Sequence, residues 1–240
     1  MPLRRNVKKY APKRNAPARK QPKKYTKKPM RMSRTLTTVP FPKIRQCTFI
    51  YKQPSVNIPS SLINGKILIR LNANGMFDFD ADNYLADKQP LFYDQMFSAV
   101  GPYRYYKVNA WKTKLTVTNL TNNALQVYYD QGTIGSIVEA DTAVEAQNRP
   151  GVIYNLLTGA ANAKPQCTIK SYKTTRSFAP RVVSSGLDYG ASYNANPLNT
   201  ITSTLLVTNL DATDFTQFNC VVTVEHVFFA TCYLQDSTLS

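Results

Sequence analysis

Hydrophobic positions follow two textures along this chain, and the change falls near residue 46. From Cys47 onward, short runs of β-branched and aromatic residues alternate with polar ones. Such runs read as Cys47–Tyr51, Lys66–Leu71, Arg104–Thr118, Leu125–Tyr129, Cys167–Thr174, Thr202–Asn209 and Cys220–Tyr233. In Lys66–Leu71, the side chains of Ile67, Ile69 and Leu71 share one face, and Lys66 and Arg70 take the other. In Cys220–Phe228, Val222, Val224, His226 and Phe228 fall on one side. Arg104–Thr118 changes phase, with Tyr106, Val108 and Ala110 in step and then Leu115 and Val117. That break predicts a bulge near Trp111. Turn signals lie between the runs at Asn64-Gly65, Asn74-Gly75, Asn122-Asn123 and Gln131-Gly132. Helical candidates are short, Tyr93–Val100 and Val138–Asn148. Seven or eight strands with almost no helix predict an all-β fold, a single jelly-roll β-sandwich, rather than an α/β one.

Before residue 46 no apolar period exists. Residues 1–34 contain five prolines and no acid, so they bury too little surface to offset the entropy of ordering. The sequence therefore predicts two parts: 1–45, a disordered basic arm and linker that binds nucleic acid, and 46–240, a shell domain.

Charge sharpens this division. Residues 1–45 hold 16 of the 30 Lys and Arg and none of the 14 Asp and Glu, so the other 14 cations match the 14 acids. The whole net charge of +16 thus belongs to the arm, and the body sums to zero. A basic tether on a neutral body is a polyanion-binding layout. Lys and Arg on an unfolded tether neutralise phosphates and release counterions without reading bases. The candidate nucleic-acid contacts are Arg4, Arg5, Lys8, Lys9, Lys13, Arg14, Arg19, Lys20, Lys23, Lys24, Lys27, Lys28, Arg31 and Arg34. Prolines at 12, 17, 22 and 29 keep these clusters extended, and Tyr10 and Tyr25 offer rings on which unpaired bases stack. The same clusters suit a nuclear-import receptor.

Other candidate chemistry reduces to structure. Asp78-Phe79-Asp80-Ala81-Asp82-Asn83 has calcium-loop spacing, but Asn83 stands where a turn glycine belongs and Gln89 where a bidentate Glu is needed. It reads as a polar loop capping a strand. His226 shares its face with three apolar residues and reads as a core or interface histidine rather than a catalytic base. No GxSxG, GxGxxG or GxxxxGK[ST] motif occurs, and Glu139, Asp141 and Glu145 form a solvated segment. Cys47, Cys167, Cys220 and Cys232 lack CxxC spacing and read as buried free thiols, not as a zinc site or a disulfide framework. The Asn119-Leu120-Thr121 sequon has no visible secretory signal beside it. No catalytic, metal or cofactor site is expected, and no membrane span. Tyr84, Phe92, Tyr93, Phe97, Tyr103, Tyr105 and Tyr106 crowd one stretch, at a density that fits core plus subunit contacts.

Three segments in order carry a resemblance: Asn74-Gly75-Met76-Phe77-Asp78, then Gln89-Pro90-Leu91-Phe92-Tyr93-Asp94-Gln95, then Tyr103-Arg104-Tyr105-Tyr106-Lys107-Val108. With Asn196-Pro197 and the last long run, Val221–Phe229, this layout resembles the capsid proteins of small circular single-stranded DNA viruses, the circovirus-like group. The chain departs from that pattern at Phe79, where the family often has Pro, and at Phe92, where it often has Gly. Its arm also mixes Lys with Arg, where circoviruses proper favour Arg. The resemblance implies a homo-oligomer of about sixty copies with the arms inside. It implies a packaged single-stranded DNA genome, a place in the virion and, during assembly, in the host nucleus. It also implies a host cell-surface receptor. Sixty such arms bring on the order of 800 positive charges into one cavity. An RNA or satellite virus coat of the same fold is the competing reading. A ribosomal-type nucleic-acid-binding protein is a further one, which the neutral body argues against. A secreted lectin-like or hydrolytic jelly roll would show a leader and convergent catalytic groups.

Overall fold

The alternating runs form nine strands in two antiparallel sheets. The computed structural model describes residues 42–60, 65–85, 87–98, 100–131, 143–161, 164–178, 189–210 and 217–234. The strands are β1 (Ile44–Pro59), β2 (Lys66–Asn72), β3 (Tyr103–Asn119), β4 (Leu125–Asp130), β5 (Ile153–Leu157), β6 (Gln166–Thr174), β7 (Gly190–Ser192), β8 (Thr202–Asn209) and β9 (Asn219–Leu234). Three short helices join them: α1 (Tyr93–Phe97), α2 (Ala143–Asn148) and α3 (Thr175–Phe178).

Strand order identifies the fold. One sheet runs β1-β9-β3-β6, with β7 added beside β3, and the other runs β2-β8-β4-β5. With β7 set aside, successive strands alternate between the sheets except at the β4–β5 hairpin, and every pairing is antiparallel. Eight strands wound this way are a jelly roll. The two inner faces meet over a core that includes Phe49, Tyr51, Ile67, Ile69, Trp111, Leu115, Val127, Leu205, Val222, Val224 and Phe228.

The phase change in the third run is resolved as a register shift against β9 between Val108 and Ala110. Asn109 is the extra residue; its amide donates to Thr231 Oγ1 at 2.7 Å. Ala110 and Trp111 are then buried in succession, and Trp111 stacks on Phe178 at 5.7 Å. The bulge therefore sits two residues before Trp111. The first helical candidate ends at Phe97 rather than Val100, because Ser98 is extended. Of the second, α2 covers its last six residues, and 138–142 lie outside the described residues. The strands β5 and β7 are additions to those the alternation gives.

Candidate functional site

All fourteen arm residues, Arg4 to Arg34, lie outside the described residues. Within the body, neutrality holds for the sum and not for the distribution. The strands of the first sheet carry Lys52, Arg104, Lys107, Lys112, Lys114, Lys170 and Lys173 of the body, with Arg45 from the end of the linker, against Glu225 as their one acid. The strands of the second carry Lys66, Arg70 and Asp130.

Register gathers the basic residues on one face. Lys52 pairs with Glu225, Glu225 with Lys114, and Lys114 with Lys170, so one row crosses four strands as Lys-Glu-Lys-Lys. Side chains directly opposite in an antiparallel pair point to the same side. The neighbouring row reads Ile50, Val227, Lys112, Tyr172. Lys52, Lys112, Lys114 and Lys170 are exposed, and Tyr172 is 56% exposed. The Lys112 ammonium lies 5.6 Å from the centroid of the Phe229 ring. None of these four ammonium groups comes within 4.0 Å of a carboxylate among the described residues. On the second sheet's outward side a small apolar cluster, Tyr128 and Leu206, packs under Ala146 of α2 with Leu68 and Val152 beside it, and Lys66 and Arg70 flank Leu68 along β2.

The histidine is part of the core. His226 is 1% exposed; its Nε2 stands 3.2 Å from the Ala73 carbonyl, and its Nδ1 stands 2.9 Å from Thr113 Oγ1. A carbonyl only accepts, so Nε2 carries the proton and Nδ1 accepts from the Thr113 hydroxyl. Phe79 and Phe228 pack on the ring at 4.6 and 4.3 Å. Burial pushes its pKa down to about 3, against the partial support of the Ala73 carbonyl. A neutral imidazole walled in this way is not placed as a general base.

The Asp-rich loop closes on itself. Asp80 is fully buried, accepting from the Leu85 N–H at 2.5 Å and the Asp82 N–H at 3.2 Å. Burial raises its pKa, and those two bonds oppose the rise. The Asp82 carboxylate accepts from Arg70 Nε at 2.9 Å and from the Arg70 backbone N–H at 2.7 Å. Asn83 takes φ 59° where a calcium loop would have its glycine. No cluster of metal-ligating side chains occurs among the described residues. The cysteines are free. Cys167, Cys220 and Cys232 are buried, and Cys47, at the sheet's edge strand, is only half-buried. Burial pushes the Cys220 thiol up to about 12 and raises those of Cys167 and Cys232.

The residues behind the family resemblance hold loops together. The Asn74 amide donates to the Asn199 carbonyl at 3.0 Å, and its carbonyl oxygen accepts the Ile201 N–H at 2.7 Å. Asn196 bonds both backbone groups of Asp78, at 3.1 and 2.8 Å. A Cβ on Gly75 would come within 2.6 Å of Asn196 Oδ1, so any larger residue there would displace Asn196 from its bonds to Asp78. The Tyr106 hydroxyl donates to the Ala195 carbonyl at 2.9 Å and accepts the Met76 N–H at 3.1 Å. Phe92 adopts φ 64° and is 68% exposed, a conformation that suits the glycine often found there in the family. Tyr93, Phe97, Tyr103 and Tyr106 are core, whereas Tyr84 and Phe92 are exposed.

No family model and no curated protein matches the sequence. Solved structures to which the chain is similar include desmodium yellow mottle tymovirus, at 11% identity over 82% of this chain and 94% of that one, with a TM-score of 0.42. Turnip yellow mosaic virus matches at 12% identity over 83% and 85%, with a TM-score of 0.39. Mud crab tombus-like virus matches at 8% identity over 81% and 82%, with a TM-score of 0.43.

Proposed function

We propose that this chain is the capsid protein of a small non-enveloped virus, which self-assembles into an icosahedral shell and packages a single-stranded genome through its Lys/Arg-rich arm. One observation carries the reading: a complete eight-strand jelly roll follows directly on a cationic segment without a single acid. Closed symmetry buries a large homomeric interface, and many tethers in one cavity raise the effective concentration of individually weak phosphate contacts. The role proposed is a structural one, and His226, locked neutral between Thr113 and Ala73, serves the core in it.

The resemblance points to circular single-stranded DNA as the genome and to assembly in the host nucleus. An RNA or satellite virus coat is the second reading. Its ground is that Asn74, Gly75, Tyr106 and Asn196, which carry the resemblance to DNA-virus capsids, are used in fixing loops, a role that a coat of either genome type needs. A charged tether does not read the 2′-hydroxyl either. The test is to purify particles of the full chain, extract their nucleic acid and digest it with DNase or RNase. Deleting residues 2–34 should abolish packaging. Efficient packaging of full-length genome by the deleted protein would sink the proposal.

A further inference from the structure

We propose that the outward face of the β1-β9-β3-β6 sheet is a second contact for the packaged single-stranded nucleic acid, which makes it the surface turned toward the shell's interior. This rests on the capsid reading and adds to it, since that reading places every phosphate contact on the arm.

Register gathers the cations. Lys52, Lys114 and Lys170 belong to strands far apart in sequence, yet they stand in one row with Glu225 as the single acid between them. Lys112 adds a fourth ammonium in the adjacent row, roughly 6.7 Å from Lys114 along the strand. Four cations facing one carboxylate at close quarters repel one another, and a polyanion relieves that repulsion while releasing its own counterions.

Two features favour nucleic acid over other polyanions. Tyr172 presents an open ring beside Lys112, and Phe229 lies under the Lys112 ammonium. Rings interleaved with cations on an open sheet are what unpaired bases stack on while phosphates meet lysines. The face is also close to the arm along the chain: nine residues separate Arg34 from Ile44, the first residue of edge strand β1. On the other sheet's outward side Tyr128 and Leu206 lie under α2, and Arg70 is bonded to Asp82.

The experiment uses full-chain particles. Ultraviolet crosslinking of nuclease-treated particles, followed by peptide mass spectrometry, should give adducts in β3 and β6 as well as in the arm, with Tyr172 among the crosslinked residues. In parallel, the fourfold variant K52Q/K112Q/K114Q/K170Q is assembled. Its four lost cations against the arm's fourteen should leave roughly a fifth fewer nucleotides per shell. For a labelled single-stranded oligonucleotide, the slope of log affinity against log salt should become shallower by about 3. Should the variant fail to assemble, the crosslinks on unaltered particles decide the matter. Adducts confined to the arm would overturn the proposal. So would a variant that packages normally but loses binding to heparin or anionic vesicles, since its lysines would then face outward. Empty unaltered shells would instead refute the capsid-packaging reading, and this proposal with it.

Discussion

His226 shows how one residue can look like chemistry and serve packing. Its pKa falls from 6.5 to about 3 because burial disfavours the cation. Above about pH 6.5 both folded and unfolded chains hold it neutral, so its contribution to stability is fully present there. Below that, the unfolded chain takes up a proton that the folded chain refuses, and stability is lost as pH falls toward 3, at about 1.4 kcal/mol per pH unit. His226→Gln should flatten this slope, which denaturant midpoints measured at several pH values would show. Tyr106 works through its hydroxyl. Tyr106→Phe leaves the buried Met76 N–H and the Ala195 carbonyl short of a partner and should cost about 1–3 kcal/mol in chemical unfolding. Phe92 works the other way. Its φ of 64° strains any residue with a Cβ, so Phe92→Gly should raise the thermal midpoint of the unassembled subunit, by about 1 kcal/mol in stability. An unchanged or lower midpoint would mean that the exposed ring makes a contact worth more than the strain.

At the scale of elements, alternation made the long strands legible. β2, β8 and β9 each bury one set of alternate residues, or more, and their run boundaries match the strands to within one or two residues. The strand β5 was not legible, because Ile153-Tyr154-Asn155-Leu156-Leu157 places apolar side chains on both faces, and Ile153, Tyr154 and Leu156 are more than a third exposed. The strand β7 is three small residues, Gly190-Ala191-Ser192, held by backbone pairing to β3, and no side-chain period can announce it. Pairing also explains why the basic face stayed hidden. Lys52, Lys114 and Lys170 look like scattered surface charges until β9 and β3 bring them into one row. The sum of charges in the body is zero, and only sheet membership reveals that the first sheet holds half of its fourteen cations and, of the acids, only Glu225. That segregation also weakens the use of a neutral body as an argument against a ribosomal-type protein, so assembly has to separate the two.

For the whole molecule, composition and topology describe different halves of one device. The jelly roll supplies a rigid block whose core is closed across two sheets. The arm supplies redundant charge, fourteen cations between Arg4 and Arg34. Redundancy has a measurable consequence. Single alanine changes in the arm should barely alter packaging, while removal of residues 2–34 should abolish it and leave the circular dichroism of the body intact. The jelly-roll topology was expected from the sequence, whereas strand order and sheet partnership had to come from the structure, because they depend on contacts between residues far apart in the chain.

The claim that this chain is a shell-forming, genome-packaging protein is tested most directly by negative-stain electron microscopy of the purified full-length protein, with the nucleic-acid and protein absorbances recorded on the same fraction. A capsid protein should give uniform closed shells whose excess nucleic-acid absorbance survives nuclease. A homogeneous small species that persists across salt and pH would contradict it and favour a cellular nucleic-acid-binding protein.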